Sequence, residues 1–506
     1  VLLGREIGGL EKYDGWIAEA TQANAKAKRK SHLSGKDVFL ALDGYQKNAR
    51  FISADELEIN RSYALGINDI KDIDSIARAL REKCEYTGNR FLGNSAFVSS
   101  SDIIIDSQYV CNSTNIEQST YVHSSFMVRR GSKYAFGSGW CAESEFLIRL
   151  VGAFNAHRCL ENYITVDSSD MYFCHNCAGC QDLMFSFGQR NKRHMIGNLA
   201  LPKEKYRGLK AKLISEIADE LEKNKRFPSL IELAGDAKPE GKPDIRRAKK
   251  EPEDMGIIEK GFFSTYKLIL KREPAYKLTG YENWLSRHTV ALKPVLSPFG
   301  AQTVAPQGIP VYSSFPPTRR VTFDESISLS ALHLEEKDLG SMGSLQKALG
   351  RIAFFTAELR DGVNRNVISS PLVFNAVNVY KGYDATYTEN CAVCSLPLNT
   401  KYAYGCHRAL ESQFSLKCYN SLYLNRCFEM DSCTKCSDSY FCHNSEALSD
   451  CMFCFNMKGR RFHIGNTEFG RGEYARIKES LVGQMADELA RRGGMGWDIY
   501  NIGAMQ

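Results

Sequence analysis

Residues 98–128 read VSSSDIIIDSQYVCNSTNIEQSTYVHSSFMV. Every third residue is small or aliphatic: Val98, Ser101, Ile104, Ser107, Val110, Ser113, Ile116, Ser119, Val122, Ser125, Val128. An aliphatic residue recurs every six positions, with serine midway. A period of three fits neither an α-helix nor a flat strand. It fits a chain wound in short sides, each turning a small residue inward. After a one-residue shift of phase near Arg129 to Gly131, the series continues through Ser132, Ala135, Ser138, Cys141 and Cys159 to Cys174, Cys177 and Cys180. It returns from Ala385 to Cys454, where all ten cysteines of the second half share one phase.

The return is a duplication. Ser169-Asp170-Met171-Tyr172-Phe173-Cys174-His175-Asn176 recurs as Ser437-Asp438-Ser439-Tyr440-Phe441-Cys442-His443-Asn444. Residues 169–221 and 437–489 align without a gap at an offset of 268, with 22 of 53 positions identical. Lys133-Tyr134-Ala135 and Lys401-Tyr402-Ala403 extend the copied unit to at least 133–221 and 401–489. Such repeats must be settled before any motif is read.

Cysteines recur 18 apart, at Cys141, Cys159 and Cys177 and at Cys418, Cys436 and Cys454. Three six-residue sides give that length. The expected fold is therefore mainly β with α: two tandem β-solenoids of about 18 residues per coil, each followed by an amphipathic capping helix. Tyr206, Leu209, Leu213, Ile217 and Leu221 share one face of the first helix, as do Tyr474, Ile477, Leu481, Met485 and Leu489 of the second. A cap protects the apolar core and unpaired edges of a last coil. The expected divisions are a mixed or helical segment (1–95), the first solenoid and cap (96–225), a Pro-rich connection (226–320), a helical lead-in (321–369) and the second solenoid and cap (370–506). Eleven of the fourteen prolines lie between Pro228 and Pro317, beside the charge run Arg246-Arg247-Ala248-Lys249-Lys250-Glu251. They argue for a loop-rich connection without regular sheet. The Lys26-Ala27-Lys28-Arg29-Lys30 run reads as a solvated helix end or arm.

The net charge of +6 permits an anionic partner without demanding one. No apolar run reaches the length of a membrane span, and the first residues lack a signal-peptide pattern. Seventeen cysteines in a large chain point to reduced thiols or metal sites in the cytoplasm, or in a particle assembled there.

Cys174, His175, Cys177 and Cys180 have zinc-like spacing. The second copy replaces Cys177 and Cys180 by Ser445 and Leu448, and the single phase covers every cysteine of that half, which favours stacked core thiols. The reading is therefore no cofactor, with zinc as the alternative. His175 and His443 lie off the inward phase and are expected to face solvent or a neighbouring loop. Basic turns follow each repeat: Arg190, Lys192 and Arg193 in the first, Lys458, Arg460 and Arg461 in the second. They are candidate sites for phosphate or nucleic acid. Tyr172, Phe173, Phe185 and Phe187, mirrored by Tyr440, Phe441, Phe453 and Phe455, are either stacking platforms for bases or packing residues.

The run from Cys174 to Tyr206, with its cysteines, aromatics, basic turn, asparagine and tyrosine, resembles a group of uncharacterised cysteine-rich proteins from uncultivated microbes. Leu296-Ser297-Pro298-Phe299-Gly300 followed by Thr303-Val304-Ala305 is similar to a segment those proteins carry. The resemblance covers about a third of the chain and implies no activity; such proteins carry more CxxC pairs than this one.

No phosphate-cradling glycine loop, G-x-S-x-G elbow or HExxH motif is present. The expected function is a non-enzymatic structural or assembly protein, forming a homo-oligomer or larger particle without a membrane. The alternatives are nucleic-acid or anion binding at the basic turns, and a solenoid acyltransferase using His123, His157 or His175 as base.

Overall fold

A computed structural model describes residues 1–21, 27–57, 63–235, 244–245 and 253–504. Lys26 and the charge run 246–251 lie outside the described residues. The architecture is mixed α and β, with β predominating. The largest sheet contains a path of ten parallel strands that runs from Phe91–Leu92 to Ala96–Ser99 and is nearly closed, like a barrel. One wall holds Asp102–Ile105, Thr114–Glu117, Phe126–Arg129 and Gly139–Ala142; the other holds Gln108–Cys111, Thr120–His123 and Lys133–Phe136. The long strand Glu145–Tyr172 joins both. The second half divides into several smaller sheets, the largest of six strands from Arg365–Ile368 to Asn425–Phe428.

This overturns the expectation of two tandem β-solenoids with coils of about 18 residues. Neighbouring strands are offset by 12 residues: Gln108 pairs with Thr120, Asp102 with Thr114, and Gln413 with Asn425. Thr120 pairs with Lys133 because one residue is added near Arg129 to Gly131. The error has a simple origin. A period of three fixes the spacing of inward residues, not the number of sides per turn. Cysteines 18 apart stand one and a half turns apart, on opposite walls.

The period of three has a backbone cause. The residue before each inward position takes a left-handed conformation: Phe97, Ser100, Ile103, Asp106, Tyr109 and Asn112 all have φ between 46° and 55°. For L-residues this costs about 1–2 kcal/mol each, so the wall must repay it. The inward serines contribute. Ser107 Oγ donates to the Ile105 carbonyl and accepts from the Ser119 N–H, one turn later. Ser138 Oγ repeats this between the Phe136 carbonyl and the Leu150 N–H. Inward cysteines satisfy carbonyls in the same way, Cys418 Sγ approaching the Leu416 and Cys427 oxygens at 3.5 Å. Aliphatic residues fill the rest, in one narrow core per half.

Each stack ends in an antiparallel hairpin, Arg193–Ile196 with Leu199–Ala200 and Arg461–Ile464 with Thr467–Glu468. Helices Lys203–Asn224 and Arg471–Arg492 follow, stopped by left-handed Lys225 and Gly493. Part of the proline-rich region is regular. Helix Met255–Leu270 buries Ile258, Phe262, Tyr266 and Ile269 against the second stack, and Leu292–Leu296 pairs with Gln302–Pro306. Gly261 lets that helix approach closely, since a Cβ there would stand 2.6 Å from the Tyr404 hydroxyl.

The two stacks lie side by side and run oppositely. Arg90, at the start of the first, donates to Ser432 of the second, and Phe154 meets Phe374. The duplication extends far beyond the residues where the copies align. Arg149 reaches the Trp16 carbonyl and covers the Trp16 ring; Lys417 does both to Trp284. Ser53 and Glu56 form a capping box, as do Thr322 and Glu325. These upstream segments are exchanged between halves. The Leu65 N–H donates to the Gly465 carbonyl of the second stack, and the Leu334 N–H to the Gly197 carbonyl of the first. One hydrophobic core joins residues of the first half from Ala27 to Tyr86 to the second stack; another joins Ile309 to Ala357 to the first.

Candidate functional site

The four zinc candidates are not brought together. Cys174, Cys177 and Cys180 point into the core, their Sγ atoms 3.3 to 3.6 Å from backbone carbonyls. His175 points the other way. Among the described residues, no group of three or more His, Cys, Asp or Glu side chains is placed to hold a metal ion. Sixteen of the seventeen cysteines are buried; Cys111 is half-buried. Burial pushes the Cys84 and Cys159 thiols up to about 12, so thiolate chemistry is suppressed there.

His175 and His443 do not face solvent; both are fully buried. Each holds the exchanged segment of the other half. His175 Nε2 accepts from the Thr356 N–H at 2.9 Å, and His443 Nε2 from the Thr87 N–H at 3.0 Å. His443 Nδ1 is oriented by Asp431 at 2.8 Å, which also accepts from the Tyr45 and Tyr500 hydroxyls. The first copy has Tyr163 in place of Asp431, and His175 Nδ1 has no hydrogen-bond partner among the described residues. Burial pulls His175 down to about 3, with the Arg190 charge adding to the effect. The duplicated Cys-His-Asn motif marked these residues, but their receptors lie in segments too diverged to align.

The basic turns stand at opposite ends of the molecule, because the stacks run oppositely. Arg190 is half-buried, donating to the Asn176 carbonyl and side-chain oxygen and lying over Phe323. Lys192 and Arg193 are exposed. Lys458 pairs with Glu446 at 2.9 Å, Arg460 is half-buried, and Arg461 stands 3.9 Å from Asp450. The six cations therefore form no common patch. The candidate bases are also apart: His123 meets Asp14 at 3.0 Å, His157 meets Asn155 at 3.0 Å, and His175 is enclosed. Tyr172, Phe173, Phe185 and Phe187 are buried, as are Tyr440, Phe441, Phe453 and Phe455. None offers a face to a base. They are packing residues, with Phe173 against Phe227 and Phe441 against Trp497.

The exposed aromatics lie elsewhere. Phe97, Tyr109, Tyr121, Tyr134 and Phe146 form a ladder on the first stack, with successive centroids 4.7 to 4.9 Å apart and planes within 6°. The spacing follows from the strand separation. Tyr134 and Phe146 border the N-terminal segment; Phe97, Tyr109 and Tyr121 are 71%, 45% and 41% exposed. The ladder ends at the opening of the stack, where Phe91–Leu92 and Ala96–Ser99 pair with no strand on their outer sides among the described residues. Phe91 and Leu92 are exposed too. From Phe91 to Ser101 the chain carries no charge and no proline. The signal was present in the sequence as aromatics 12 or 13 apart, one residue before the inward phase.

A scan of family models finds no match to this chain, and neither does a search of curated proteins or of solved structures. No helix among the described residues is long and apolar enough to cross a membrane.

Proposed function

We propose that this chain is a non-enzymatic assembly protein that associates with a second copy of itself through the open edge at Phe91–Ser99. The observation that carries this reading is the uncharged edge with its exposed ladder. Edge strands are ordinarily blunted by charges, proline or cover, because their unpaired N–H and C=O groups invite another strand. The other end of the stack has such cover, from the hairpin and the helix Lys203–Asn224. At the open end the strands Phe91–Leu92 and Ala96–Ser99 carry neither charge nor proline, and among the described residues no strand pairs with their outer sides. Two copies related by a two-fold axis would pair Ala96–Ser99 with its equivalent and cover Phe91, Leu92 and Phe97, an isologous contact. An uncharged edge offers no complement to a charged partner, which favours self-pairing. The buried thiols suit a reducing compartment, so we place the assembly in the cytoplasm.

Light scattering across a concentration series tests this. The wild-type chain is expected at about twice its 56.9 kDa mass, and Leu92→Lys with Phe97→Lys, both exposed positions, at the monomer mass with an unchanged circular dichroism spectrum. A dimer that survives both charges refutes the assigned edge.

A further inference from the structure

Between the two stacks lies a cavity of about 120 Å³, walled by both halves. Trp140 and Phe154 of the first stack face Phe374, Tyr383 and Tyr387 of the second, with Tyr312 closing one side. Trp140 lies 6.2 Å from Tyr383 and 6.4 Å from Tyr312, centroid to centroid. This is of the order of the ~150 Å³ that accommodates benzene, and the space is not fully enclosed, so it suits a single aromatic ring.

Its polar groups are few and incompletely used. Trp140 Nε1 is buried without a hydrogen-bond partner among the described residues. Arg129 and Asp384 both line the cavity, yet no ion pair within 4.0 Å joins them or ties either to another described residue. Among the described residues, Asp384 accepts only a long 3.5 Å contact from Thr386. Burial pulls Arg129 down and pushes Asp384 up, and each charge partly offsets the other's shift. Arg130, at the rim, is drawn off by Glu143 at 3.6 Å and Glu411 at 4.0 Å. The duplication does not require this set. In the second copy Arg408 stands where the first has Trp140, and in the first copy Asn115 stands where the second has Asp384. The lining is thus particular to this side of the interface.

We infer that the cavity binds a small uncharged molecule built on one aromatic ring and carrying a donor and an acceptor side by side, as an aromatic amide does. The ring packs between the Trp140 and Phe374 walls. The carbonyl accepts from Trp140 Nε1 and Arg129, and the amide N–H donates to Asp384. With Arg130 paired to Glu143 and Glu411, Arg129 and Asp384 leave no net charge inside, so an anionic or cationic ligand would bring an uncompensated charge into a buried site, which is costly. Because both halves contribute walls, the ligand would also brace their contact.

The test uses the full chain and benzamide, with benzoate and benzylamine as charged comparators, measured by ligand-observed NMR titration. Benzamide is expected to saturate one site, with both comparators at least about tenfold weaker. Ala142→Phe, filling the cavity from a buried wall position, should abolish binding. Trp140→Phe, keeping the wall and removing the N–H, should weaken it about fivefold, the worth of one neutral hydrogen bond. Should Ala142→Phe fail to fold, a crystal soaked in 4-bromobenzamide decides: an anomalous peak between Trp140 and Phe374 supports the site, and its absence overturns it. Absence of saturation at millimolar benzamide, unchanged affinity in the variants, or preference for either charged comparator also overturns the inference.

Discussion

Ser138 shows what a single inward position does. Its hydroxyl donates to Phe136 and accepts from Leu150, so Ser138→Ala leaves a buried N–H unpaired. The expected loss is about 1–3 kcal/mol, read as a lower urea midpoint at unchanged slope. Ser138→Cys, which keeps a weak donor and acceptor, should lose less. Equal losses would contradict the role assigned to the hydroxyl. His175 gives a pH signature. Its folded pKa is depressed to about 3 by burial, against about 6.5 in an unfolded chain. Below pH 6.5 the unfolded chain takes up a proton that the folded chain refuses. Stability present above 6.5 is therefore lost as pH falls toward 3, by up to about 1.4 kcal/mol per pH unit. His175→Asn should flatten the urea midpoint between pH 6.5 and 4; an unaltered slope would show that the imidazole is not buried neutral. At this scale the sequence was informative. The inward phase of serines, aliphatics and cysteines could be read directly, because the narrow core excludes charged and aromatic side chains from that phase. The burial of His175 and His443 could not, since off-phase residues face solvent or a neighbour according to what packs there.

Elements divide in the same way. The helices Lys203–Asn224 and Arg471–Arg492 were legible from apolar residues spaced three and four apart. The winding was misread because cysteine spacing reports the phase, not the turn. Aromatic spacing was the better guide: Phe97, Tyr109 and Tyr121 stand 12 apart, and ring stacking requires adjacent strands. The ladder presents ring edges outward and closes its faces against its own members. Tyr109 stacks on both Phe97 and Tyr121; in the double-lysine monomer, which lacks Phe97, Tyr109→Ala should cost about 0.5–1.5 kcal/mol from the one remaining pair, while weakening the wild-type dimer only if the ladder is covered there. Thermal melting of the monomeric double-lysine variant carrying Tyr109→Ala separates the two effects. A large monomer loss would make the ladder structural.

The whole molecule is an intramolecular pair whose halves exchange their upstream segments. Leu65 reaches Gly465, Leu334 reaches Gly197, and the two histidines hold the crossing strands. Residues 1–252 alone would therefore lack the segment that covers the end of their own stack. Expressed by itself, that half should be unfolded or should dimerise by swapping the segment around Thr87. A stable, monomeric half would contradict the exchange. The duplication was legible at 133–221 and 401–489, where strand register and core phase constrain both copies. It was illegible upstream, where Trp16 and Trp284 or Ser53 and Thr322 survive as isolated matches among diverged loops, and where the offset slips by one residue.

If the uncharged edge at Phe91–Ser99 joins two copies, the native mass measured by light scattering reports it. The expected mass is about twice 56.9 kDa at micromolar concentration, falling to the monomer mass when Leu92 and Phe97 become lysine. A wild-type chain that stays at 56.9 kDa at every concentration would contradict it.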